Sequence, residues 1–280
     1  MRAPWLILLF FIFHASGARD FYIFGSESGT TKPYRHENAF VTFMVPTETK
    51  SLKMYTGCVI IFLKSLLQYE QTYDIVVMYT PDVNEEDVSI VKNIGKNIKM
   101  VRVEKFENSY IENRSYKPMI TKFHIWNMTQ YKQIAYYDSD HIFLQNPVGI
   151  FADCGSSDFC ATQDTHIGGD YFNAGLLVIR PNVETCLSLT NNMHKANKRT
   201  FAEQDMLNDV YKKKWKKIDS KYNFMHASKE NLSNSKIVCI HEKWWVLQKM
   251  GLNQDTWIWN QIIKNTHFSS SFDFAFIRTM

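Results

Sequence analysis

The chain has 280 residues, of which 45% are hydrophobic and 21% are charged. These fractions exclude a disordered protein and a coiled coil, and they fit one globular domain with a full core. The formal net charge of +4 is too small for this length to indicate binding to nucleic acid or to a membrane surface, and it suits an anionic small substrate.

The first 18 residues have the pattern of a secretory signal peptide. Arg2 provides a positive charge, residues 6–13 form an apolar core, and residues 15–18 are small, as cleavage requires. The apolar run is too short to span a membrane, and a buried N-terminal strand is the alternative interpretation. We therefore expect cleavage near Ala18, no membrane span afterwards, and a location in the lumen of the secretory pathway (endoplasmic reticulum or Golgi) or outside the cell.

The cysteines and three glycosylation sequons bear on the same compartment. Cys154 and Cys160 are close enough to form a disulfide, and no Cys-x-x-Cys zinc pattern is present. The remaining cysteines lie in apolar stretches typical of buried thiols: Cys58, Cys186 and Cys239. The sequons, which suit passage through the secretory pathway, begin at Asn113, Asn127 and Asn231.

Predicted strands and helices alternate along residues 36–262, which we interpret as one domain followed by a C-terminal tail at residues 263–280. The predicted strands cover residues 39–45, 74–79, 98–103, 134–137 and 236–240, with further apolar runs at 159–162 and 176–179. The predicted helices cover residues 52–69, 85–96, 121–131, 183–194 and 202–211. This alternation predicts an α/β fold with a single Rossmann-like, mainly parallel sheet flanked by helices.

Two aspartates directly follow the predicted strand 134–137. In Asp138-Ser139-Asp140 the carboxylates are two residues apart, so in an extended strand they project from one face and converge. Buried carboxylates are costly without a compensating charge, which a hard divalent cation would provide. Ligands in open α/β sheets bind at the carboxyl ends of the strands, so this segment is the leading candidate for a functional site.

Three interpretations of this segment are open from the residues alone. The acids could be solvated at the end of a strand. Asp138 could be the nucleophile of a phosphohydrolase, although that class has Thr or Val soon after the second Asp on its first strand, whereas His141 follows here and the strand is fourth. The third interpretation is a metal site that binds the diphosphate of a nucleotide sugar.

Further motifs favour the third interpretation. They are ITKFHIW at residues 120–126, FNAGL at 172–176, EQDMLN at 203–208, and the predicted strand that precedes His241. The residues of these motifs and their order along the chain resemble glycosyltransferase family 8, and the glycogenin-like members most closely. The resemblance covers residues 40–245. The resemblance implies a glycosyltransferase A fold with residues 36–262 as its catalytic domain. It also implies a UDP-sugar donor, Mn²⁺ or alternatively Mg²⁺ as cofactor, and retention of the anomeric configuration. A homodimer is one option for the assembly of the chain.

The resemblance also implies a set of metal ligands. Asp138, Asp140 and His241 would bind the metal, and Ser139 would lie close to the ribose. Two carboxylates with one imidazole suit manganese better than calcium. Without the resemblance, His241 would be read as a histidine that caps the end of a strand.

Two lysines are assigned to the phosphates in the same way. Lys122 would reach a phosphate or the sugar and help to neutralise the leaving UDP, whereas its other interpretation is a solvated lysine on a helix. Lys243 would contact the diphosphate, in a loop that is shorter here than in the family. The basic run at residues 212–217 closes a predicted helix and is interpreted as a solvated helix end.

The remaining site residues are assigned to the sugar and the nucleoside. Asn173, Ala174 and Gly175 would let the backbone and an amide approach the donor, and a plain turn is the alternative. Asp164 would bond the sugar, and Glu203-Gln204 takes the place of Asp-Gln in the family. Thr42 and Tyr55 correspond to family residues around the uracil and ribose, although both could belong to the core.

The predicted function is a metal-dependent retaining glycosyltransferase that moves a hexose or hexuronic acid from a UDP-sugar to a carbohydrate, protein or lipid acceptor. Lys122, Asp164, Glu203 and Gln204 are its predicted catalytic residues. Residues 225–235 contain no Tyr, so self-glucosylation of the glycogenin kind is not expected. The alternative is a secreted inactive homologue that binds carbohydrate or nucleotide sugar.

Overall fold

A computed structural model describes residues 36–45, 52–106, 117–193, 202–226 and 236–243, without the side chains of residues 52–55. The predicted signal peptide, the predicted tail and the sequons at Asn113 and Asn231 lie outside these residues. None of the helices within these ranges combines the length and the apolar character that crossing a membrane requires.

A seven-stranded sheet forms the centre of the molecule, in the order β3-β2-β1-β4-β7-β6-β8. Its strands are β1 (Asn38–Met44), β2 (Asp74–Tyr79), β3 (Ile98–Arg102), β4 (Gln133–Tyr137), β6 (Phe159–Gln163), β7 (Phe172–Ile179) and β8 (Lys216–Lys217). β3, β2, β1 and β4 are parallel neighbours, whereas β7 is antiparallel to both β4 and β6. The predicted mainly parallel α/β sheet is therefore confirmed.

Within the described ranges, five α-helices accompany the sheet: α1 (Leu52–Leu67), α2 (Glu85–Lys92), α3 (Gly149–Cys154), α4 (Val183–Asn191) and α5 (Glu203–Val210). The helix predicted at residues 121–131 is instead a 3₁₀-helix at Lys117–Asn127. Ile120, Phe123 and Trp126, three residues apart, form one buried row, as the three-residue turn of a 3₁₀-helix places them, and Thr121, Lys122 and Ile125 are buried beside it. A second 3₁₀-helix covers Ser220–Tyr222.

Both faces of the sheet are covered, which explains its continuous apolar strands. Along β1, Val41 and Phe43 pack in one cluster with Trp126 of the 3₁₀-helix. Phe40 packs on the opposite face with Phe62 of α1. Successive residues of a strand alternate between faces, so burial on both sides requires an unbroken hydrophobic run.

The strand predicted at residues 236–240 is wrong in its bounds, because it begins three residues later and is shorter. The structure has a short strand, β9 (Cys239–His241), which pairs antiparallel with β5 (His141–Phe143) in a separate two-stranded sheet. The chain therefore leaves the main sheet after β4, and this departure places the functional site.

The expected disulfide between Cys154 and Cys160 is present, and it closes a short loop between α3 and β6. Cys58, Cys186 and Cys239 are buried, as predicted. We expect the Cys154→Ser/Cys160→Ser variant to lose about 2 kcal/mol of unfolding free energy, because the unfolded chain regains loop entropy. Urea unfolding with and without reductant measures this. Reductant should destabilise the wild type only, and a wild type that is unaffected by it would contradict the expectation.

Candidate functional site

The site forms where β4 ends and the chain turns into β5. Asp138 follows the last residue of β4, and Ser139 and Asp140 lie in the turn. β5 then pairs with β9 so that His141 lies opposite His241. The aspartates thus belong to a turn and not to a continuous strand. The Asp138 and Asp140 carboxylates were expected to converge on one point, but each binds its own set of side chains.

The first set of partners holds Asp138. Its Oδ1 accepts hydrogen bonds from the Lys122 ammonium at 3.0 Å and from the Tyr136 hydroxyl at 2.7 Å. Its backbone N–H donates to the Gly175 carbonyl at 2.8 Å. The carboxylate is fixed through one oxygen and one backbone bond, which leaves Oδ2 as the atom to face a ligand.

The second set of partners holds Asp140. His241 Nε2 lies 3.4 Å from its Oδ1, and the Lys243 ammonium lies 3.2 Å from its Oδ2. Burial alone would raise the pKa of Asp140, but His241 and Lys243 outweigh it and hold the pKa well below its usual range. Asp140 is therefore an anion at neutral pH and can bind a cation.

A group of metal-ligating side chains surrounds Asp140. Ligand atoms of Asp140, His141 and His241 all lie within 4.8 Å of one another. His241 Nδ1 is buried and has no hydrogen-bond partner. A buried, unpaired imidazole nitrogen is costly, so the donor set fits a divalent cation that would occupy it. Asp138, which was expected to complete this set, is held by Lys122 and Tyr136.

Lys122 occupies the buried centre of the site. Its side chain has 0% exposure, and its ammonium contacts Asp138 at 3.0 Å, Glu203 at 3.1 Å and the Ala174 carbonyl at 3.3 Å. These three acceptors match its three N–H donors. Burial lowers the pKa of Lys122, but the two carboxylates outweigh it and raise the pKa overall. The interpretation as a solvated lysine is excluded.

Glu203 presents an unused acceptor to the site. Its Oε1 pairs with Lys122, whereas its buried Oε2 has no hydrogen-bond partner. Burial raises the pKa of Glu203, and Lys122 partly opposes this. A ligand hydroxyl that donated to Oε2 would remove the cost of this unpaired atom.

Asp164 organises the neighbouring side chains. Its Oδ1 accepts the backbone N–H groups of His166 and Ile167 at 3.0 and 3.1 Å. Its Oδ2 accepts from Asn173 Nδ2 at 3.1 Å and Gln204 Nε2 at 3.2 Å. Gln204 in turn accepts the backbone N–H of Ala174 at 2.8 Å. Four of the predicted sugar-binding residues thus form one network.

Gly175 makes room for a side chain of the site itself. A Cβ at this position would lie 2.4 Å from His241 Cε1 and 2.8 Å from Asn173 Oδ1. The His241 imidazole is therefore in close contact with this glycine, and the expectation that a ligand also approaches it stays a prediction. The glycine therefore permits the position of the proposed metal ligand.

We expect Gly175→Ala to displace His241, with a cost of about 1–3 kcal/mol in unfolding free energy and weaker binding of divalent cations. Urea unfolding and calorimetric titration with Mn²⁺ measure these effects. Gly95→Ala is the matched control, because its Cβ would meet Leu67 Cδ1 at 2.9 Å, the end of a flexible side chain. Unchanged Mn²⁺ binding in Gly175→Ala would contradict the expectation.

The remaining predicted site residues differ in their burial and in their partners. Thr42 lies on β1, and its buried Oγ1 has no hydrogen-bond partner. Ser139 is buried in the turn, and Lys243 is bound to Asp140. Tyr55 belongs to α1, but its side chain lies outside the described residues.

Sequence reasoning missed three residues of the site: Tyr136, His141 and Asn223. Tyr136 was read as part of an apolar strand, and its hydroxyl binds Asp138. His141 directly follows the aspartates, and that position was an available indication. Asn223 follows a short 3₁₀-helix and nothing in its neighbourhood in the sequence points to the site.

Comparison with known proteins agrees with this geometry. Residues 156–247 match the model of glycosyl transferase family 8. Galactinol synthase 1 of Solanum lycopersicum is 28% identical over 231 residues, which cover 72% of this chain and 70% of that protein.

Solved structures share the fold. The apo-form glycosyltransferase GlyE of Streptococcus pneumoniae TIGR4 has a TM-score of 0.58 at 17% identity and covers 84% of this chain, which spans 61% of the GlyE chain. The galactosyltransferase LgtC, solved with donor and acceptor sugar analogs, has a TM-score of 0.57 at 16% identity, covering 82% of this chain and 94% of that chain. At these identities the likeness shows the architecture, which is the glycosyltransferase A fold.

Proposed function

Because this chain carries a glycosyl transferase family 8 domain on a glycosyltransferase A fold, we propose that it is a metal-dependent, retaining transferase of a hexose or hexuronic acid from a UDP-sugar. The observation that carries the proposal is the buried group around Asp140, with its unpaired His241 Nδ1. The acceptor is a carbohydrate, protein or lipid.

The proposed metal ligands are Asp138, Asp140 and His241. The mixed oxygen and nitrogen donors suit Mn²⁺, with Mg²⁺ as the alternative. Such an ion, when bound, neutralises charge on the diphosphate and stabilises the leaving UDP. Lys243, now 3.2 Å from Asp140, is the side chain that would turn to the diphosphate.

The donor is proposed to lie along the carboxyl edge of the sheet. Thr42, Tyr55 and Ser139 would contact the uracil and ribose, and the unpaired Oγ1 of Thr42 supports this. The sugar would lie against Asn173, Ala174 and Gly175, within the network of Asp164 and Gln204. The unpaired Oε2 of Glu203 would accept a hydrogen bond from a sugar hydroxyl.

Lys122 supports catalysis by position and charge. Its ammonium holds Asp138 and Glu203 at 3.0 and 3.1 Å, so both carboxylates keep their orientation before the donor binds. A preorganised positive charge beside the site also stabilises negative charge as it develops on the leaving group. We propose this role in place of a direct contact with phosphate, because the three N–H donors already have acceptors.

Among the described residues, the carboxylates of Asp164 and Glu203 have partners within the protein, and we propose neither as a covalent nucleophile. Asp164 accepts four hydrogen bonds, and Glu203 is bound to Lys122. We therefore propose that the bond between the anomeric carbon and the diphosphate breaks while the acceptor oxygen bonds to the same face of the sugar. The acceptor proton passes to a phosphate oxygen of the departing UDP.

The proposed compartment is the lumen of the secretory pathway or the cell exterior. The disulfide between Cys154 and Cys160 supports it, because disulfides persist in oxidising compartments and are rare in the cytosol. The pattern of the first 18 residues agrees with it.

The test is release of UDP from a panel of UDP-sugars by the purified mature chain, with and without Mn²⁺. LgtC is titled a galactosyltransferase, which makes UDP-galactose the first donor to test, followed by UDP-glucose and UDP-glucuronic acid. We expect Mn²⁺-dependent release that disappears in the Asp138→Asn/Asp140→Asn variant. No turnover with any donor would overturn the proposal, and donor binding without turnover would favour the secreted binding protein.

A further inference from the structure

Asn223 connects the proposed metal-binding half of the site (Asp138, Asp140 and His241) with the proposed sugar-binding half (Asp164, Asn173 and Gln204). Its side chain is buried, and its Nδ2 donates to Thr162 Oγ1 at 2.7 Å and to Asn173 Oδ1 at 3.1 Å. Its Oδ1 lies 3.0 Å from His141 Nε2. One amide group therefore joins β6, β7 and β5, which belong to two different sheets.

The backbone around Asn223 is held as firmly as its side chain. Its N–H donates to the Ser220 carbonyl at 3.0 Å. The next residue, Phe224, makes two backbone hydrogen bonds to β9. Its N–H donates to the Cys239 carbonyl, and its carbonyl accepts the N–H of His241, each at 3.0 Å. The amide therefore has a fixed position relative to the strand that carries His241.

His141 carries this connection to the aspartate turn. Its ring is buried, and its Nδ1 lies 2.9 Å from the Asp138 carbonyl oxygen. The same ring stacks on His241, with centroids 4.1 Å apart and an angle of 18° between the planes. Both ring nitrogens thus face acceptor oxygens of the protein, and a neutral ring, which has one N–H, donates to one of the two at a time.

We propose that Asn223 and His141 are positioning residues that hold the metal-binding half of the site in register with the sugar-binding half. This inference rests on the proposed function. The path runs from Gln204 and Asp164 through Asn173 to Asn223, and from there through His141 to the Asp138 backbone and the His241 ring. His141 supports the metal ligands and is not one of them.

Such positioning is needed because the seven-stranded sheet and the β5-β9 sheet are separate sheets. Asp140 lies in the turn before β5 and His241 lies on β9, so both belong to the part of the chain around the smaller sheet, whereas Asn173 belongs to the main sheet. An error of about 1 Å between catalytic groups is enough to reduce the rate about 100-fold. Side chains that orient metal ligands without touching the metal commonly contribute about 10- to 100-fold to affinity or activity.

The test compares Asn223→Ala with Asn97→Ala. Asn97 is also a buried asparagine that joins separate segments, because its Nδ2 donates to the Tyr73 carbonyl at 2.8 Å, but it lies beyond the amino ends of the strands. Three quantities are measured on the full chain: the melting temperature, the Kd of Mn²⁺ without donor, and kcat with KM for the active UDP-sugar.

We expect both variants to melt at lower temperature, and only Asn223→Ala to weaken Mn²⁺ binding and to lower kcat, each by about tenfold or more. His141→Phe separates the stacking of the histidine from its polar contacts, because it keeps a ring against His241 and removes both ring nitrogens. It should weaken Mn²⁺ binding less than His141→Ala and still lower kcat.

The inference is overturned if Asn223→Ala and Asn97→Ala have the same Mn²⁺ Kd and the same kcat while the wild type is active. It is also overturned if His141→Phe and His141→Ala lose Mn²⁺ binding completely, because His141 would then be a ligand. A wild type that binds Mn²⁺ but turns over no donor would contradict the proposed function, and the Kd comparison would still decide the positioning role.

Discussion

Asp140→Asn is expected to abolish the binding of Mn²⁺ and to lower kcat by about 100- to 1000-fold, the usual range for loss of one preorganised electrostatic group. Asp140 contacts both His241 and Lys243, at 3.4 and 3.2 Å. Asparagine keeps the size and removes the charge, so the change tests the charge of the site and not its packing. Calorimetry with Mn²⁺ and initial rates of UDP release measure the two effects.

The matched control for Asp140→Asn is Glu37→Gln. Glu37 is also paired with a lysine, Lys132, at 3.2 Å, but this exposed pair lies beyond the amino end of the sheet. Its kcat and Mn²⁺ Kd should equal those of the wild type. If Asp140→Asn keeps the wild-type Mn²⁺ Kd, Asp140 is not a ligand and the proposed metal set is wrong.

Lys122→Met is expected to lower the unfolding free energy by about 3–5 kcal/mol at pH 7, because it leaves two carboxylates without their buried counter-charge. The ammonium has 0% exposure and contacts Asp138 and Glu203 directly. The same variant should lose most of its activity, since Asp138 is no longer oriented. Urea unfolding gives the stability, and UDP release gives the activity.

Two further variants identify the cause of this loss. Lys132→Met removes an exposed lysine from its pair with Glu37 and should cost less than about 1 kcal/mol. Lys122→Met/Glu203→Gln removes one of the two stranded charges and should recover part of the stability. Equal losses in Lys122→Met and Lys132→Met would contradict a buried electrostatic role for Lys122.

The pH dependence of Lys122→Met has a definite sign. Burial raises the pKa of Glu203 in the wild type, and loss of the opposing Lys122 raises this pKa further. A carboxyl whose pKa is higher in the folded state than in the unfolded state binds its proton more tightly when folded, so stability rises as pH falls through the folded pKa. The deficit of the variant against the wild type should therefore shrink as the pH is lowered from 7 towards 5.

Periodicity predicted most of the main sheet correctly. The strand expected at 39–45 is Asn38–Met44, and the strand at 74–79 has the bounds Asp74–Tyr79. These strands are buried on both faces, so their apolar runs are unbroken and readable. The helix expected at 121–131 was misplaced, because three-residue and four-residue periods are hard to separate in a short buried segment.

The motifs identified by resemblance also meet in space, at Lys122, Asp138, Asp164, Asn173, Glu203, Gln204 and His241. Their meeting follows from the parallel sheet, whose carboxyl ends bring distant segments together. The partners within the site could not be read in this way. That Lys122 binds both Asp138 and Glu203, and that Asp164 binds both Asn173 and Gln204, depends on distances that no sequence spacing specifies.

The sequence by itself determined the alternation of strands and helices, the place of Asp138 and Asp140 at the end of β4, and the presence of His241 after an apolar run. These features are local, because the burial of a strand or helix requires a periodic pattern of apolar residues in the same short segment. The tertiary structure decided that β5 leaves the main sheet, that it pairs with β9, and that Gly175 makes room for His241. Each of these depends on packing between segments far apart in the chain, and strands of three residues carry too little periodicity to announce such a partner.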